Sequence, residues 1–578
     1  MTTTSRLVRT LVLLLAAIGV AFYYVQHRRT LPTPSESRTQ PGGAITATMR
    51  GEPATFNRYV NQGFPTHLIS LLTQARLVRI NQATDQVEPW LASSWSTSAD
   101  GRVVTLELRP GVTWSDGAAF TSDDVVFSFA LAADAAAGSV MTEVARVGDQ
   151  PIGIRADGPQ RVVLTFGQPY APGMRLLDAL PIYPRHALEA AWKSGGFAQA
   201  WSLKTAPSEM PGLGPFVLAS YTPGQRVVLT RNPRYWRRDA GGAALPHVDR
   251  LTLEIVPDRN AEALRLISGQ VDLLQDQIRA EDYREVKAAA DEGRVRLTDA
   301  GPGHDRYMLW FNLAPQASRD ASRGFLQQES FRQAVSLAVS RQGFADAVYL
   351  GAADPSPFAV APANRNWQPV GLEGPPFDPA RASTLLDGLG LLDRDHDGVR
   401  EDRAGHPVRF SVIVVSGLTE AQKGMEFVRD QLARVGIGLD IVTVDLGSMM
   451  GRWQKGDYDA IYQHLVPTDT DPASNLDWWL SRGSMHMWHP AQKTPATPWE
   501  AEIDRLMAKQ ATTLDLDERR RQFTDVQKIF LANNPVIYFV APHVFVATSR
   551  RVAPVTPAVT PPQVLWAADE IRVAPAAP

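Results

Sequence analysis

The segment from Glu88 to Phe129 constrains the fold of this chain most, because it prescribes two strands, two tight turns and a helix start in order. Its turns fall at Asp100–Gly101 and Asp116–Gly117. This dipeptide suits tight turns, since glycine adopts positive φ without cost and aspartate tolerates it. Thr121 can then cap a helix, with Asp124 three residues further on, near the positive helix end. The segment therefore predicts a hairpin-rich unit that leads into a helix.

Length and composition limit the classes of protein that this chain can belong to. With 578 residues and an apolar content of 44% it is too long for one core, so two or three lobes are expected. The net charge of −3 argues against a nucleic-acid partner, which requires a concentrated basic face. The chain has no cysteine, which excludes disulfides, thiolate metal sites, cysteine nucleophiles and a lipid-modified cysteine anchor.

The N-terminus predicts export. Arg6 and Arg9 precede an apolar run, Leu11–Val25, that is short for a membrane span but fits a signal sequence. Residues 1–29 are therefore interpreted as a signal peptide or an N-terminal membrane anchor, and residues 30–43 as a flexible linker rich in Pro, Ser and Gly. The protein is expected in the periplasm or at the cell surface, either released or anchored to the cytoplasmic membrane.

The later part of the chain alternates between strand and helix patterns. Val408–Val415 has the composition of a buried strand, Glu420–Val435 that of an amphipathic helix, and Leu439–Val444 that of another strand. This order predicts a mixed α/β lobe.

Six segments carry a resemblance to a known family, in the same order along the chain. They are Gly42–Asn57, Glu88–Phe129, Leu213–Trp236 with its Arg-Asn-Pro-x-Tyr-Trp ending, Leu264–Leu274, Arg306–Pro315 with Phe331–Arg341, and Tyr458–Pro472. They resemble the peptide and nickel type, family 5, of the solute-binding proteins of ABC importers, similar to dipeptide- and oligopeptide-binding proteins. One departure is Ser340, where the family usually has Asp.

The resemblance implies an α/β, two-lobed periplasmic-binding-protein type II fold, cluster C-like, with an extra subdomain in the first lobe. The expected bounds are 44–300 for the first lobe, about 88–210 for its hairpin-rich subdomain, 301–533 for the second lobe, and 534–575 for a return to the first lobe. Two segments, near Ala300 and near Asn534, would cross between the lobes as a hinge. A ligand between the lobes would stabilise the closed form, because only that form offers both faces.

The function implied is that of a monomeric, cofactor-free substrate-binding component that captures oligopeptides or dipeptides for ABC permease subunits in the membrane. An alternative is a binder of a non-peptide solute on the same fold, such as a nickel chelate, an opine or an oligosaccharide. A second alternative is an exported hydrolase. The sequence contains no His-Glu-x-x-His, Gly-x-Ser-x-Gly or Walker A motif, so we predict that it is not an enzyme.

The resemblance also places the ligand site near the Asp-Pro pair at Asp471. In peptide-binding members an Asp in the preceding loop pairs with the α-ammonium of the ligand, a charge-assisted interaction with three donors. The equivalent position falls near Thr468, with Asp469 beside it. Leu465, next to His464, stands where an aromatic residue is expected. The alternative for this loop is a solvated turn in which Asp471 caps the next helix.

Two further loops match segments that line the cleft in the family. The candidate contacts are Phe56, Asn57, Gln62, Gly63 and Phe64 in the first lobe, and Asn364 and Trp367 in the second. The alternatives are ordinary surface loops, with Trp367 packed on its own lobe.

Two clusters have a composition that is compatible with metal binding. Asp393, Asp395, Asp397 and Gly398 resemble the start of a calcium loop, although Ala404 stands where an EF-hand needs Glu; the alternative is a hairpin loop without metal. The Trp-, Met- and His-rich stretch 478–489 could ligate a soft metal or haem, but we interpret it as an aromatic group packed on the lobe, with exposed histidines.

Overall fold

The structure is a computed structural model that describes residues 42–148, 150–315, 321–464 and 469–574. The predicted signal peptide or anchor, most of the linker and Thr468 lie outside these ranges. Within them, every helix is too short or too polar to span a bilayer.

The first described part, up to residue 302, is built mainly from strands. They are β1 (Ala44–Met49), β2 (Val78–Asn81), β3 (Gln86–Pro89), β4 (Ala92–Thr97), β5 (Val103–Leu108), β6 (Arg146–Val147), β7 (Gln150–Pro151), β8 (Gly153–Ala156), β9 (Arg161–Thr165), β10 (Phe216–Thr222), β11 (Arg226–Arg231), β12 (Arg250–Ile255) and β13 (Val295–Pro302). Its helices are α1 (Phe64–Thr73), α2 (Ser122–Ala133), α3 (Arg185–Lys193), α4 (Arg259–Ile267) and α5 (Ala280–Asp291).

The second part continues to the end of the description. Its strands are β14 (Tyr307–Phe311), β15 (Ala353–Pro355), β16 (Arg409–Val415), β17 (Gly438–Val444), β18 (Ala460–His464), β19 (Val536–Tyr538) and β20 (Val540–Ser549). Its helices are α6 (Glu329–Ala338), α7 (Arg341–Tyr349), α8 (Pro379–Gly388), α9 (Thr419–Ala433), α10 (Leu446–Lys455), α11 (Leu476–Trp479), α12 (Pro498–Thr512) and α13 (Leu516–Asn533).

Two sheets define two lobes. In the first lobe the strands lie in the order β1-β12-β11-β10, and a bridge through Leu273 connects β1 to β20, which pairs with β13. The smaller sheet β4-β5-β9-β8 and the hairpin β2-β3 are attached to this lobe and share its buried core. In the second lobe the order is β17-β16-β18-β14-β19, with β16 parallel to both of its neighbours.

The second sheet is buried on both faces. Along β14, Leu309 and Phe311 contribute to the core on one face, whereas Met308 and Trp310 contribute to the core on the other. This alternation follows from the two-residue period of a strand. The strand–helix–strand order predicted for residues 408–444 is confirmed by β16, α9 and β17.

The turns of the Glu88–Phe129 segment form as predicted. Gly101 and Gly117 have φ of 69° and 97°, the left-handed region that favours glycine. Thr121 is the N-cap residue of α2, as predicted, and its amide donates to Asp124 Oδ2 over 3.0 Å.

Two neighbouring segments connect the lobes. The Gly303 amide donates to the Pro542 carbonyl over 2.8 Å, next to the paired residues Pro302 and His543. The sequence placed the second crossing near Asn534, but β19 still pairs with β14 in the second sheet. The chain therefore leaves the second sheet only after Tyr538.

Candidate functional site

The candidate site lies where the two lobes meet, at an ion pair between Arg175 and Asp469. Arg175 belongs to a short 3-10 helix of the first lobe, Gly173–Asp178, and Asp469 to the second-lobe loop that follows β18. The Arg175 Nε and Nη2 atoms donate to Asp469 Oδ1 over 2.9 and 2.6 Å. This charge-assisted contact joins residues 294 positions apart in sequence.

A second carboxylate of the first lobe shares the same guanidinium. Asp85 lies at the turn of the hairpin β2-β3, with φ of 59°. Its Oδ1 accepts from Arg175 Nη2 over 2.8 Å, and its carbonyl accepts from Arg175 Nη1 over 3.1 Å. The hairpin turn also reaches the second lobe, because Asp85 accepts from the Thr470 hydroxyl at 2.8 Å and from Asn366 Nδ2 at 2.9 Å.

The electrostatics of this cluster favour a cation. Burial alone would lower the pKa of Arg175, but its hydrogen bonds and charge interactions with Asp469 and Asp85 raise it above the usual value, so the guanidinium stays protonated. Burial lowers the pKa of the adjacent His304 to about 4, so its imidazole is neutral at pH 7. Two carboxylates therefore share one guanidinium, and the cluster keeps an excess of negative charge.

The Asp471 side chain is held by contacts within the second lobe. Its carboxylate is buried and accepts from Arg519 Nη2 at 2.6 Å and from Nη1 at 3.0 Å. It also accepts from the Ala473 amide at 3.0 Å, as the cap of the 3-10 helix Pro472–Asn475. This geometry favours the alternative predicted for Asp471, a helix-capping residue, over a ligand contact.

The second-lobe candidates lie beside this cluster. Asn364 Nδ2 donates to the Thr470 carbonyl over 2.7 Å, while its Oδ1 is buried and has no hydrogen-bond partner among the described residues. Trp367 is buried on its own lobe, with its ring against Phe523 and 4.9 Å below the Arg519 guanidinium. Asn364 thus supports the loop that carries Asp469, and Trp367 follows the packing alternative.

The first-lobe candidates contact their own lobe. Asn57 is fully buried and donates to the Phe197 carbonyl over 3.1 Å, and the Phe56 ring lies 5.8 Å from that of Tyr221. Gln62 is exposed and donates to the Val140 carbonyl over 2.9 Å. Gly63 is the residue before α1, which begins at Phe64. Their role as ligand contacts stays a prediction.

His464 ends β18 just before the predicted ligand loop. Its Nδ1 lies 2.6 Å from Asp305 Oδ1, and its ring centre lies 5.1 Å from that of Tyr307. Its assignment as a ligand contact stays a prediction, and that of Thr468 falls outside the described residues.

Sequence reasoning found Asp469 but missed its partners. Arg175, Asp85, Asn366 and Thr470 complete the interlobe cluster. Arg175 follows a Pro-Gly loop, and Asp85 follows Ala-Thr in a short hairpin, neither of which is a motif. These residues become neighbours only because the two lobes meet at this point.

The predicted calcium loop brings its carboxylates together. Ligand atoms of Asp393, Asp395, Asp397 and Glu401 all lie within 4.8 Å of one another. Asp393 Oδ1 is shielded from solvent and accepts no hydrogen bond from the part of the chain that the structure describes. Glu401, which follows the Asp-Gly pair in the sequence, occupies the ninth loop position, and calcium binding here stays a prediction.

The Trp-, Met- and His-rich stretch packs on the second lobe as interpreted, but one detail of that interpretation is wrong. His486 is buried rather than exposed, with its Nε2 3.3 Å from Glu500 Oε1 and its ring 4.0 Å from that of Trp488. A hydrogen-bonded carboxylate and an aromatic neighbour explain this burial.

Comparison with known proteins shows which family has this architecture. Residues 86–486 match the profile described as bacterial extracellular solute-binding proteins, family 5 Middle. A probable ABC transporter-binding protein from Deinococcus radiodurans is 26% identical over 534 residues, covering 89% of this chain and 89% of that protein.

Solved structures agree with the two-lobed arrangement. NikA from Brucella suis in complex with Fe(III)-EDTA has a TM-score of 0.75 at 20% identity, covering 92% of this chain and 100% of that chain. The oligopeptide-binding protein AppA from Bacillus subtilis in complex with a nonapeptide has a TM-score of 0.66 at 19% identity, covering 93% and 100%. The predicted α/β, two-lobed periplasmic-binding-protein type II fold is therefore confirmed.

Proposed function

We propose that this chain, which belongs to family 5 of the bacterial extracellular solute-binding proteins, captures oligopeptides or dipeptides with a free amino terminus for an ABC importer. Proteins of this family bind a small solute, interact with ABC permease subunits and are not enzymes. We propose a peptide as the solute. The observation that carries it is the position of Asp469, which faces the opposite lobe and there binds a cation, the Arg175 guanidinium.

The chemistry of this cluster supports an ammonium group as the feature recognised. An ammonium offers three donors, and Asp469, Asp85 and the Thr470 hydroxyl offer acceptors at one place. The excess carboxylate makes a cationic group more favourable than a neutral sugar and disfavours an anionic metal chelate. A free peptide amino terminus supplies the required charge at neutral pH.

Two alternative functions would give different results in the ligand-binding experiments below. A non-peptide solute such as a nickel chelate, an opine or an oligosaccharide would use the same cleft, and one structural neighbour is a complex with Fe(III)-EDTA. An exported hydrolase would turn over its substrate, whereas a binding protein would leave it unchanged.

We expect short peptides with a free amino terminus to raise the melting temperature, because a ligand that binds only the folded protein stabilises it. The N-acetylated forms of the same peptides should stabilise it much less, since they carry no ammonium. Thermal shift and calorimetry measure this, with raffinose and Ni-EDTA in parallel.

Asp469→Asn tests whether the Asp469 carboxylate binds the ammonium group of the ligand. Removing one charge of a desolvated pair should weaken binding of free-terminus peptides by roughly 30-fold or more, and should not weaken binding of acetylated peptides. Asp477→Asn is the matched control, an exposed carboxylate in α11 that should change nothing. Equal binding of free and acetylated peptides, or binding of the sugar or chelate alone, would contradict the proposal.

A further inference from the structure

We propose that Asp85 and Arg175 of the first lobe latch onto Asn366, Asp469 and Thr470 of the second lobe before any ligand arrives, and that a ligand must displace Arg175 from Asp469. We call these five residues the interlobe latch. The displacement step rests on the function proposed above, whereas the latch itself does not.

The latch connects the lobes through polar contacts on both sides of one guanidinium. Arg175 Nη2 lies 2.6 Å from Asp469 Oδ1, 2.7 Å from Thr470 Oγ1 and 2.8 Å from Asp85 Oδ1. Asn366 Nδ2 adds a donor to Asp85 Oδ2 at 2.9 Å. All of these groups are protein atoms, so the hydrogen bonds of the latch itself form without a ligand.

Solvent screens this cluster only weakly. The side chains of Arg175, Asp469 and Asp85 are 12%, 14% and 24% exposed. Charges that are largely withdrawn from water interact more strongly than surface pairs, and removing one partner leaves the others uncompensated. Without Arg175, Asp85 and Asp469 would repel each other across the lobe boundary.

A second contact between the lobes lies near the ends of α12 and α13. The Ala171 amide of the first lobe donates to the Ala511 carbonyl of the second over 2.9 Å. Leu514 lies against Gly101, where an added Cβ would be 2.7 Å from a Leu514 Cδ atom. The lobes therefore touch beyond the latch, which favours a closed form in the absence of ligand.

The latch has a consequence for selectivity. A ligand that brings a cation restores the partner that Asp469 loses when Arg175 leaves, and Arg175 keeps Asp85. A neutral ligand leaves Asp469 buried and unpaired, which costs free energy. The closed ligand-free form also lowers the apparent affinity for every ligand, because only the open fraction admits one.

The test uses distance measurements on the full chain. Because the protein has no cysteine, Arg155→Cys in the first lobe and Leu446→Cys in the second introduce only two thiols for spin labels. Both positions are exposed, with a 63% exposed side chain for Arg155 and 55% for Leu446. Pulsed electron paramagnetic resonance then reports the interlobe distance without ligand.

We expect Arg175→Met to shift this ligand-free distance distribution toward longer values. Arg185→Met should not, because Arg185 is a first-lobe arginine that pairs with Asp123 of the same lobe. The milder Asn366→Ala should shift the distribution in the same direction by a smaller amount, and it serves if Arg175→Met fails to fold. Unchanged distributions in folded Arg175→Met, or in Asn366→Ala where Arg175→Met does not fold, would overturn the latch.

Affinity tests the displacement step separately. Free-terminus peptides should bind Arg175→Met about tenfold more tightly than the unsubstituted protein, because their competitor for Asp469 is gone. Weaker binding to Arg175→Met would instead make Arg175 a ligand-binding residue and overturn displacement. Failure of all peptides to bind would refute the proposed ligand but leave the ligand-free distances as the test of the latch.

Discussion

At the scale of single residues, His464 shows how one neighbour sets the chemistry of a side chain beside the cleft. Its hydrogen bond with Asp305 is the largest influence on its pKa, and raises that pKa above 6.5. The pair joins the last residue of β18 to the segment that enters β14. The protonation of His464 is therefore coupled to how the crossing segment is held.

We predict that Asp305→Asn lowers the pKa of His464. A folded-state pKa above the unfolded value stabilises the fold at pH below about 6.5, and this stabilisation is lost as pH rises through the folded pKa. The variant should therefore lose more stability at pH 5.5 than at pH 8. Selective ¹³C labelling of histidine with a pH titration by NMR measures the shift.

Asp299→Asn is the control for this titration, because Asp299 Oδ2 lies 2.8 Å from His543 Nδ1 and belongs to a different pair. It should move the resonance of His543 and not that of His464. A His464 resonance that titrates identically with and without Asp305 would contradict the assignment.

Three single residues, Ser340, Asp469 and Arg175, show what a sequence pattern can and cannot predict. Ser340 departs from the Asp usual in the family, yet its hydroxyl accepts from the Gly343 amide over 3.0 Å and caps α7 as a carboxylate would. The family spacing from the Asp-Pro pair falls near Thr468, and Asp469 could be named only as the acidic residue beside it. Its partner Arg175 could not be named, because no local pattern relates residues 294 positions apart.

At the scale of elements, α12 begins with a capping box that also fixes a loop. The Thr497 amide donates to Glu500 Oε2 over 3.0 Å, and Trp488 Nε1 donates to Glu500 Oε1 over 3.1 Å. Burial alone would raise the pKa of Glu500, but hydrogen bonds from His486, Trp488 and Gln492 lower it to about 2. One carboxylate thus holds both the helix start and the aromatic stretch before it.

We predict that Thr497→Ala destabilises the second lobe by about 1 kcal/mol, the usual cost of losing an N-cap. Glu500→Ala should cost more, about 3 kcal/mol, because it also leaves the buried donors of His486 and Trp488 unpaired. Urea unfolding followed by tryptophan fluorescence measures both. Glu502→Ala, exposed on the same helix, should leave the stability nearly unchanged, and an equal loss in all three variants would argue against this role.

Element boundaries show the limit of periodicity. The spacing of Leu68, Leu71, Leu72 and Ala75 is typical of a helix over 66–77, but α1 runs from Phe64 to Thr73. Ala75 and Leu77 are buried as expected, although the chain there is no longer helical. Burial by the lobe core imposes apolar residues on extended segments too, so apolar spacing alone does not reveal where a helix ends.

At the scale of the whole molecule, His304 lies where the first crossing segment meets the latch. Burial lowers its pKa to about 4, while the charges of Asp85 and Asp469 oppose this shift and that of Arg306 adds to it. If the lobes separate, His304 gains access to water and its pKa returns toward 6.5. Closure then favours the neutral imidazole.

We therefore predict that acid opens the ligand-free protein. Because the pKa of His304 is lower in the closed form, the closed form is fully favoured above about pH 6.5 and loses this advantage as pH falls toward 4. The interlobe spin-label distance measured from pH 7.5 to 4.5 checks it. His304→Gln should flatten this dependence, and an unchanged pH profile in that variant would assign the effect to other groups.

The overall architecture could be predicted because it depends on local signals that repeat along the chain. The Asp-Gly turns, the strand–helix–strand order around α9 and the family segments each occupy a continuous stretch. The interlobe cluster depends instead on how two independently packed lobes meet. Its residues become neighbours through shape alone, which no single stretch of sequence expresses.

The shared strand β20 determines what kind of movement such a molecule can make. Its first residues, Val540–Pro542, pair with β15, and its later residues pair with β13. Hydrogen-bonded strands resist sliding and stretching far more than twisting. We therefore expect β20 to twist when the two lobes move relative to each other. We expect atoms near Pro542 to stay almost still while the outer edges of the two lobes move the most. A solute would therefore contact the residues near β20 before the lobes close around it.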